Sequence, residues 1–186
     1  ICTNCSAIFR DPATFLSAEG EKARYLTHNN DVNDPDYQDF VSPIVDSICR
    51  DFTPPSKGLD FGAGTGPVIA SMLSDKGYPM ALYDPFFHPE TKVLDVSYNF
   101  IACCEVIEHF YQPLSEFMLL KKLLHPGGKL YCMTDPLAPD KTFADWYYKE
   151  DPTHVIFYSD ATLQWIKDKV GFSEVDRFAR LIVFKK

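Results

Sequence analysis

Gly58-Leu59-Asp60-Phe61-Gly62-Ala63-Gly64-Thr65-Gly66 runs from a short apolar strand into a glycine-rich turn, and Pro67–Lys76 beyond it reads as a helix. Glycines let the backbone turn sharply and approach a ligand with no Cβ in the way. The spacing departs from the nucleotide fingerprint G-x-G-x-x-G: Pro67 stands where its third glycine belongs, and Gly66 comes one residue early. Asp60 lies inside the stretch. A carboxylate there repels a pyrophosphate and suits a ligand with positive charge. The start of the following helix has the opposite preference, for an anionic group.

Outward from the turn, short strands and helices alternate. Pro79–Tyr83 reads as a second strand ending at Asp84, Lys92–Val96 as a short third, and Phe100–Cys104 as a strongly apolar fourth. Pro113–Leu124 reads as a helix stopped by Pro126-Gly127-Gly128, and Lys129–Met133 as the next strand. Residues 135–158 form a loop rich in Pro, Asp and aromatics. Ser159 or Asp160 caps a helix, and Phe172–Phe178 and Leu181–Phe184 close the chain as two strands. Such alternation predicts a mostly parallel sheet with helices on both faces. Ligands bind such sheets beyond the carboxyl ends of the strands, which places the chemistry just after Phe61, Tyr83, Cys104 and Met133. Asp84 at the end of the second strand can accept both hydroxyls of a ribose.

The sequence resembles the class I S-adenosylmethionine (SAM) dependent methyltransferases over about residues 57–186. The matching pieces are Leu59–Gly66, Tyr83-Asp84, Glu105-Val106-Ile107-Glu108-His109-Phe110 and Leu124-His125-Pro126-Gly127-Gly128-Lys129-Leu130. The resemblance implies a Rossmann-like α/β fold, with a seven-stranded, mostly parallel sheet whose last strand is antiparallel. It also implies a SAM site made by Asp60, Gly62, Ala63, Gly64, Gly66, Asp84, Pro85, Cys104 and Glu105. One position departs from it: many relatives carry an acid just before the fourth strand, where this chain has Asn99.

Methyl transfer is an in-line displacement on a sulfonium, so the protein must align the acceptor, exclude water and, where needed, take its proton. Glu105, Glu108 and His109 stand at i, i+3 and i+4, and share one face if a helical turn starts at Glu105. Residues of this kind bind divalent metals, and His154 can add a fourth ligand. The Glu-x-x-Glu-His pattern is similar to that of small-RNA 2′-O-methyltransferases and of ubiquinone-pathway O-methyltransferases, where it serves a metal. The same string occurs in relatives without that implication. There Glu105 would orient the cofactor, and His109 or His154 would line the pocket or act as a base. Trp146, Tyr147 and Tyr148 either wall a substrate pocket or cover the end of the sheet.

Ahead of this domain, residues 17–56 are expected to form a helical flank or lid. Asp34-Pro35 starts a helix, and Pro43 kinks it or restarts it with Ser42 as cap. Cys2-x-x-Cys5, followed by Ala7-Ile8-Phe9, looks like the second knuckle of a zinc ribbon, so residues 1–16 read as a ribbon remnant. Two cysteines cannot close such a site, and zinc is expected there only if chains pair. Ile1 rather than Met at the start reads as a piece of a longer chain.

Composition narrows the partners. The chain has 186 residues and a formal net charge of −8, which argues against broad nucleic-acid binding. It has no membrane-length apolar run, and apolar cysteines at 103, 104 and 132 fit a reduced, cytoplasmic protein. The expected partner is a small-molecule acceptor offering oxygen or nitrogen. The alternatives are a SAM-binding regulatory module without catalysis and a metal-assisted RNA 2′-O-methyltransferase.

Overall fold

The computed structural model describes residues 1–27 and 31–186. The part of the expected helical flank at 28–30 lies outside them. Chain order begins with β1 (Ile8–Phe9), α1 (Ala18–Tyr25), α2 (Pro35–Asp51), β2 (Gly58–Phe61), α3 (Val68–Asp75), β3 (Met80–Tyr83) and β4 (Tyr98–Cys104). It continues with α4 (Pro113–Leu123), β5 (Leu124–Met133), β6 (Ile156–Phe157), α5 (Asp160–Val170), β7 (Glu174–Phe178) and β8 (Leu181–Lys185).

The main sheet has the order β3-β2-β4-β5-β8-β7. β3, β2, β4 and β5 run parallel, and β8 enters antiparallel between β5 and β7. Side chains alternate across it. Leu59, Ile101, Cys103, Leu130, Cys132 and Phe184 face α4 and α5, in a core with Phe117, Leu120, Leu163 and Ile166. Phe100, Ala102, Tyr131, Met133 and Val183 face α2 and α3, in a core with Ile44, Ile48, Ile69 and Leu73. This is the three-layer α/β architecture expected from the alternation, and among the described residues no helix is long and apolar enough to cross a membrane.

Three local expectations change. Lys92–Val96 is not a strand. Thr91–Asp95 makes a 3-10 turn whose start is capped by Glu90, accepting from Lys92 N at 3.1 Å, and Tyr98 Oη holds Val93 O at 2.7 Å. The main sheet therefore has six strands among the described residues. Second, α2 runs unbroken through Pro43. A proline there leaves the carbonyl four residues back without its N–H partner. Ser42 Oγ donates to that carbonyl, Asp39 O, at 2.8 Å. The hydroxyl read as a new cap instead replaces the missing donor. Third, β6 lies inside the supposed loop 135–158 and pairs antiparallel with β1, Ile8 opposite Phe157. The N-terminal segment is thus knitted into the domain, with Cys5 and Ala7 buried in the same core as Leu59.

Candidate active site

A cavity of about 1200 Å³ opens beyond the carboxyl ends of β2, β3 and β4. Small-molecule sites are commonly ~300–1,000 Å³, so it has room for a cofactor and a second small molecule. Asp60, Gly62, Ala63, Gly64, Gly66, Asp84, Pro85, Cys104 and Glu105 all line it, as do His109 and His154.

On one side of the cavity the glycine turn is fixed by backbone. Gly62 has φ +81°, and a Cβ there would meet Val106 Cγ2 at 2.3 Å. Gly62 N and Ala63 N donate to Tyr83 O at 2.7 and 3.2 Å, and Gly64 N donates to Asp84 Oδ2 at 3.0 Å. Asp84 Oδ1 accepts from Phe86 N and Phe87 N at 2.8 and 3.0 Å. Asp84 therefore clamps the turn to the end of β3, in addition to facing the cavity. Asp60 is buried and accepts from Ala70 N at 3.3 Å, capping the start of α3, where Pro67 offers no side-chain cap. Burial, reinforced by nearby Asp84, pushes the Asp60 carboxyl up to about 7. A buried carboxyl with no cation beside it among the described residues, next to a Gly62 that admits no side chain, fits a ligand with an ammonium and a sulfonium. Tyr37 of α2 also lines the cavity. Burial raises its hydroxyl, and Cys104, Asp60 and Glu105 act on it too. Asn99, by contrast, serves the fold: its Oδ1 accepts from Lys57 N at 2.8 Å.

On the opposite side Tyr148 joins two carboxyls. Its hydroxyl lies 3.0 Å from Glu105 Oε2, contacts Glu108 Oε1, and meets Thr134 Oγ1 at 3.0 Å. Arg180, in the β7–β8 hairpin, donates through Nη2 to both Glu105 oxygens at 2.7 and 2.8 Å. Burial pushes both glutamates up to about 7. One phenolic proton cannot serve two carboxylates. The Arg180 guanidinium and the Tyr148 hydroxyl oppose that rise at Glu105, and the Tyr148 and Thr134 hydroxyls oppose it at Glu108.

The expected helical face starting at Glu105 is not formed. Glu105 adopts φ +51°, and only Ile107–His109 makes a turn, of 3-10 type. Glu105 is thereby diverted to Arg180. Glu108, His109 and His154 still converge, each with a ligand atom within 4.8 Å of the others. The two imidazoles lie 5.0 Å apart, centre to centre. His109 Nδ1 meets Thr153 O at 2.9 Å and His154 Nδ1 meets Tyr148 O at 2.7 Å. Facing carbonyls, both Nδ1 atoms carry hydrogen, which leaves both Nε2 atoms as acceptors. Burial holds the His109 pKa below its ordinary value and, with His109 close by, that of His154 at about 4. Glu108 Oε2 is buried without a hydrogen-bond partner. This three-residue set fits a divalent ion, while the four-residue set that included Glu105 does not assemble. Trp146 and Tyr148 are buried, and Tyr147 is exposed at the rim.

Tyr37 and Arg180 are site residues that the sequence pattern does not mark as such. Arg180 had a signal, a lone cation between the two closing strands. Tyr37 was visible only as part of the apolar stripe of α2.

The sequence matches the methyltransferase-domain family over residues 32–176. No curated protein matches it significantly. Among solved structures, a SAM-dependent methyltransferase from Archaeoglobus fulgidus aligns with TM-score 0.62 at 13% identity, over 80% of this chain and 94% of that one. An O-methyltransferase family protein from Burkholderia thailandensis aligns with TM-score 0.57 at 12% identity, over 89% and 61%. CalO1, a methyltransferase of calicheamicin biosynthesis in its SAH-bound form, aligns with TM-score 0.55 at 11% identity, over 80% and 55%. The chain thus spans little more than half the length of the last two. At these identities the likeness is one of fold. The fold is that of these methyltransferase structures. The chain belongs to the methyltransferase-domain family.

Proposed function

We propose that this protein moves the methyl group of SAM to an oxygen or nitrogen of a small, uncharged or cationic acceptor, with His109 or His154 as the base. One observation carries the reading: two imidazoles, each with Nδ1 against a backbone carbonyl, line the same cavity as the glycine turn. SAM supplies the electrophilic methyl. Asp60 would meet its positive end and Asp84 its ribose, and Pro85, Cys104 and Glu105 would shape the wall between. The acceptor would lie against Tyr25, Tyr111 and the two histidines, all in the cavity wall. The Nε2 of His109 would take the acceptor proton as the methyl group transfers.

Charge supports the acceptor class. Glu21, Glu150 and Asp151 line the cavity with the two histidines, and Arg24, also in its wall, is already paired with Asp151 at 2.7 Å. Phosphate-rich acceptors such as RNA would meet net negative potential.

A second reading has its own observation, the unpartnered Glu108 Oε2. Glu108, His109 and His154 would then hold a divalent ion that acidifies an acceptor hydroxyl.

The test is labelled-methyl transfer from SAM to a panel of phenols, hydroxylated rings and amines. SAM at 100 times its Kd should add about 2.7 kcal/mol of stability. Turnover that survives chelation and is lost in His109→Ala supports the base. Turnover lost to chelation and restored by a divalent ion replaces it with the metal reading. SAM binding with no transfer across the panel leaves a binding module.

A further inference from the structure

Arg10 follows β1 and stands 144 positions before His154 in sequence, yet its Nε donates to His154 O at 2.7 Å. Its Nη2 donates to Lys149 O at 2.6 Å and to Asp151 O at 2.8 Å. Its backbone N–H donates to Val155 O at 2.9 Å. One guanidinium therefore holds three carbonyls of the loop 148–154. Two other carbonyls of that loop meet imidazoles instead: Tyr148 O meets His154 Nδ1 and Thr153 O meets His109 Nδ1. The loop sorts its carbonyls into an outer set facing Arg10 and an inner set facing the imidazoles.

We infer that Arg10 is a positioning residue: by holding the outer carbonyls of loop 148–154 it aims the inner ones, and so fixes His109 and His154 as Nδ1–H tautomers with Nε2 open to the cavity. The guanidinium suits this task because its planar fork donates in fixed, diverging directions, which an ammonium does not. A second brace acts on the same loop. Asp151 accepts from Thr153 N at 2.9 Å and from Arg24 Nη2 at 2.7 Å, so α1 holds the loop as well. Thr153 is buried and Arg10 half-buried, so water is poorly placed to substitute for these donors. The functional consequence rests on the proposed role of the histidines, while the tautomers are a property of the protein alone.

The experiment is a long-range proton–nitrogen correlation spectrum of protein labelled with ¹⁵N-histidine, assigned with His109→Gln and His154→Gln. Wild type should show Nδ1 protonated and Nε2 bare at both residues. In Arg10→Met the His154 signals should move to the averaged position of exchanging tautomers, with SAM affinity by calorimetry unchanged. Arg10→Lys, which keeps the charge and loses the fork, should show the same change in part. Fixed tautomers retained in Arg10→Met overturn the inference, as does an Nε2–H tautomer in wild type. If Arg10→Met does not fold, unchanged signals in Arg10→Lys overturn it equally. Absence of methyl transfer by wild type, with the tautomer effect intact, would sink the proposed function alone.

Discussion

The two walls of the cavity are built by different means. The wall proposed for the cofactor is local: a nine-residue stretch, Gly58 to Gly66, with its shape set by positive φ and clamped to the next strand by three backbone N–H groups. The wall proposed for the acceptor is assembled from distant segments: Arg10 and Arg24 near the start, Glu105 to His109 in the middle, Tyr148 to His154 later and Arg180 near the end. Its geometry lives in side chains. A fold can therefore keep one cofactor wall intact while the opposite wall changes residue by residue.

The contrast is most easily broken at Gly62. Gly62→Val places a branched side chain at φ +81° and against Val106. The expected cost is about 2–6 kcal/mol, from backbone strain together with overpacking, and SAM binding should vanish. On the other wall Tyr148→Phe should cost about 1–3 kcal/mol for the oxygens it strands, with SAM affinity kept. Denaturant melts and calorimetry on both variants measure this. Equal losses of SAM affinity would mean that the walls are not independent.

Asp84 sharpens the comparison, because there a side chain does the work of the backbone wall. Asp84→Ala should weaken SAM binding by about 1–3 kcal/mol. Asp84→Asn should do nearly as badly. Both carboxylate oxygens accept backbone N–H groups, and an amide must turn its NH₂ toward one of those donors. An Asn variant with wild-type affinity in calorimetry would refute the clamp.

The last comparison is Asp60→Asn, read against pH. A carboxyl raised from 3.8 unfolded to about 7 folded binds more protons in the native state. Its contribution to stability is fully present below about pH 3.8 and is lost as pH rises through about 7. Asparagine can still accept from Ala70 N and does not titrate. Cofactor-free Asp60→Asn should therefore lose less stability than wild type between pH 5 and 7.5, and bind SAM more weakly. Parallel stability curves would show that Asp60 ionises without cost.

The turn, Asp84 and the strand–helix alternation all depend on neighbours in the chain, and the alternation gives the three-layer fold with the turn after β2 and Asp84 after β3. Lys92–Val96 misled because its apolar residues look strand-like, whereas Glu90 caps a 3-10 turn and Tyr98 holds it there. Pro43 misled because a proline reads as a helix break unless a neighbouring hydroxyl supplies the lost donor, as Ser42 does. Glu105 was placed on a helical face because spacing cannot foresee a non-glycine residue at φ +51°. Arg10 had no local signal at all: its partners are carbonyls, which every residue possesses, and only the tertiary fold says which ones it meets.

The pairing of β1 with β6 sets an order of events during folding. Joining residues 8–9 to 156–157 closes nearly the whole chain into a ring, an entropic cost that two-residue strands offset only once the central sheet already holds the ends near each other. The sheet and the glycine turn can form while the N-terminal arm is still searching. The arm's hold on loop 148–154 is therefore expected to lock last and open first, and amide exchange at Arg10 and Val155 should report that opening well below the threshold for global unfolding.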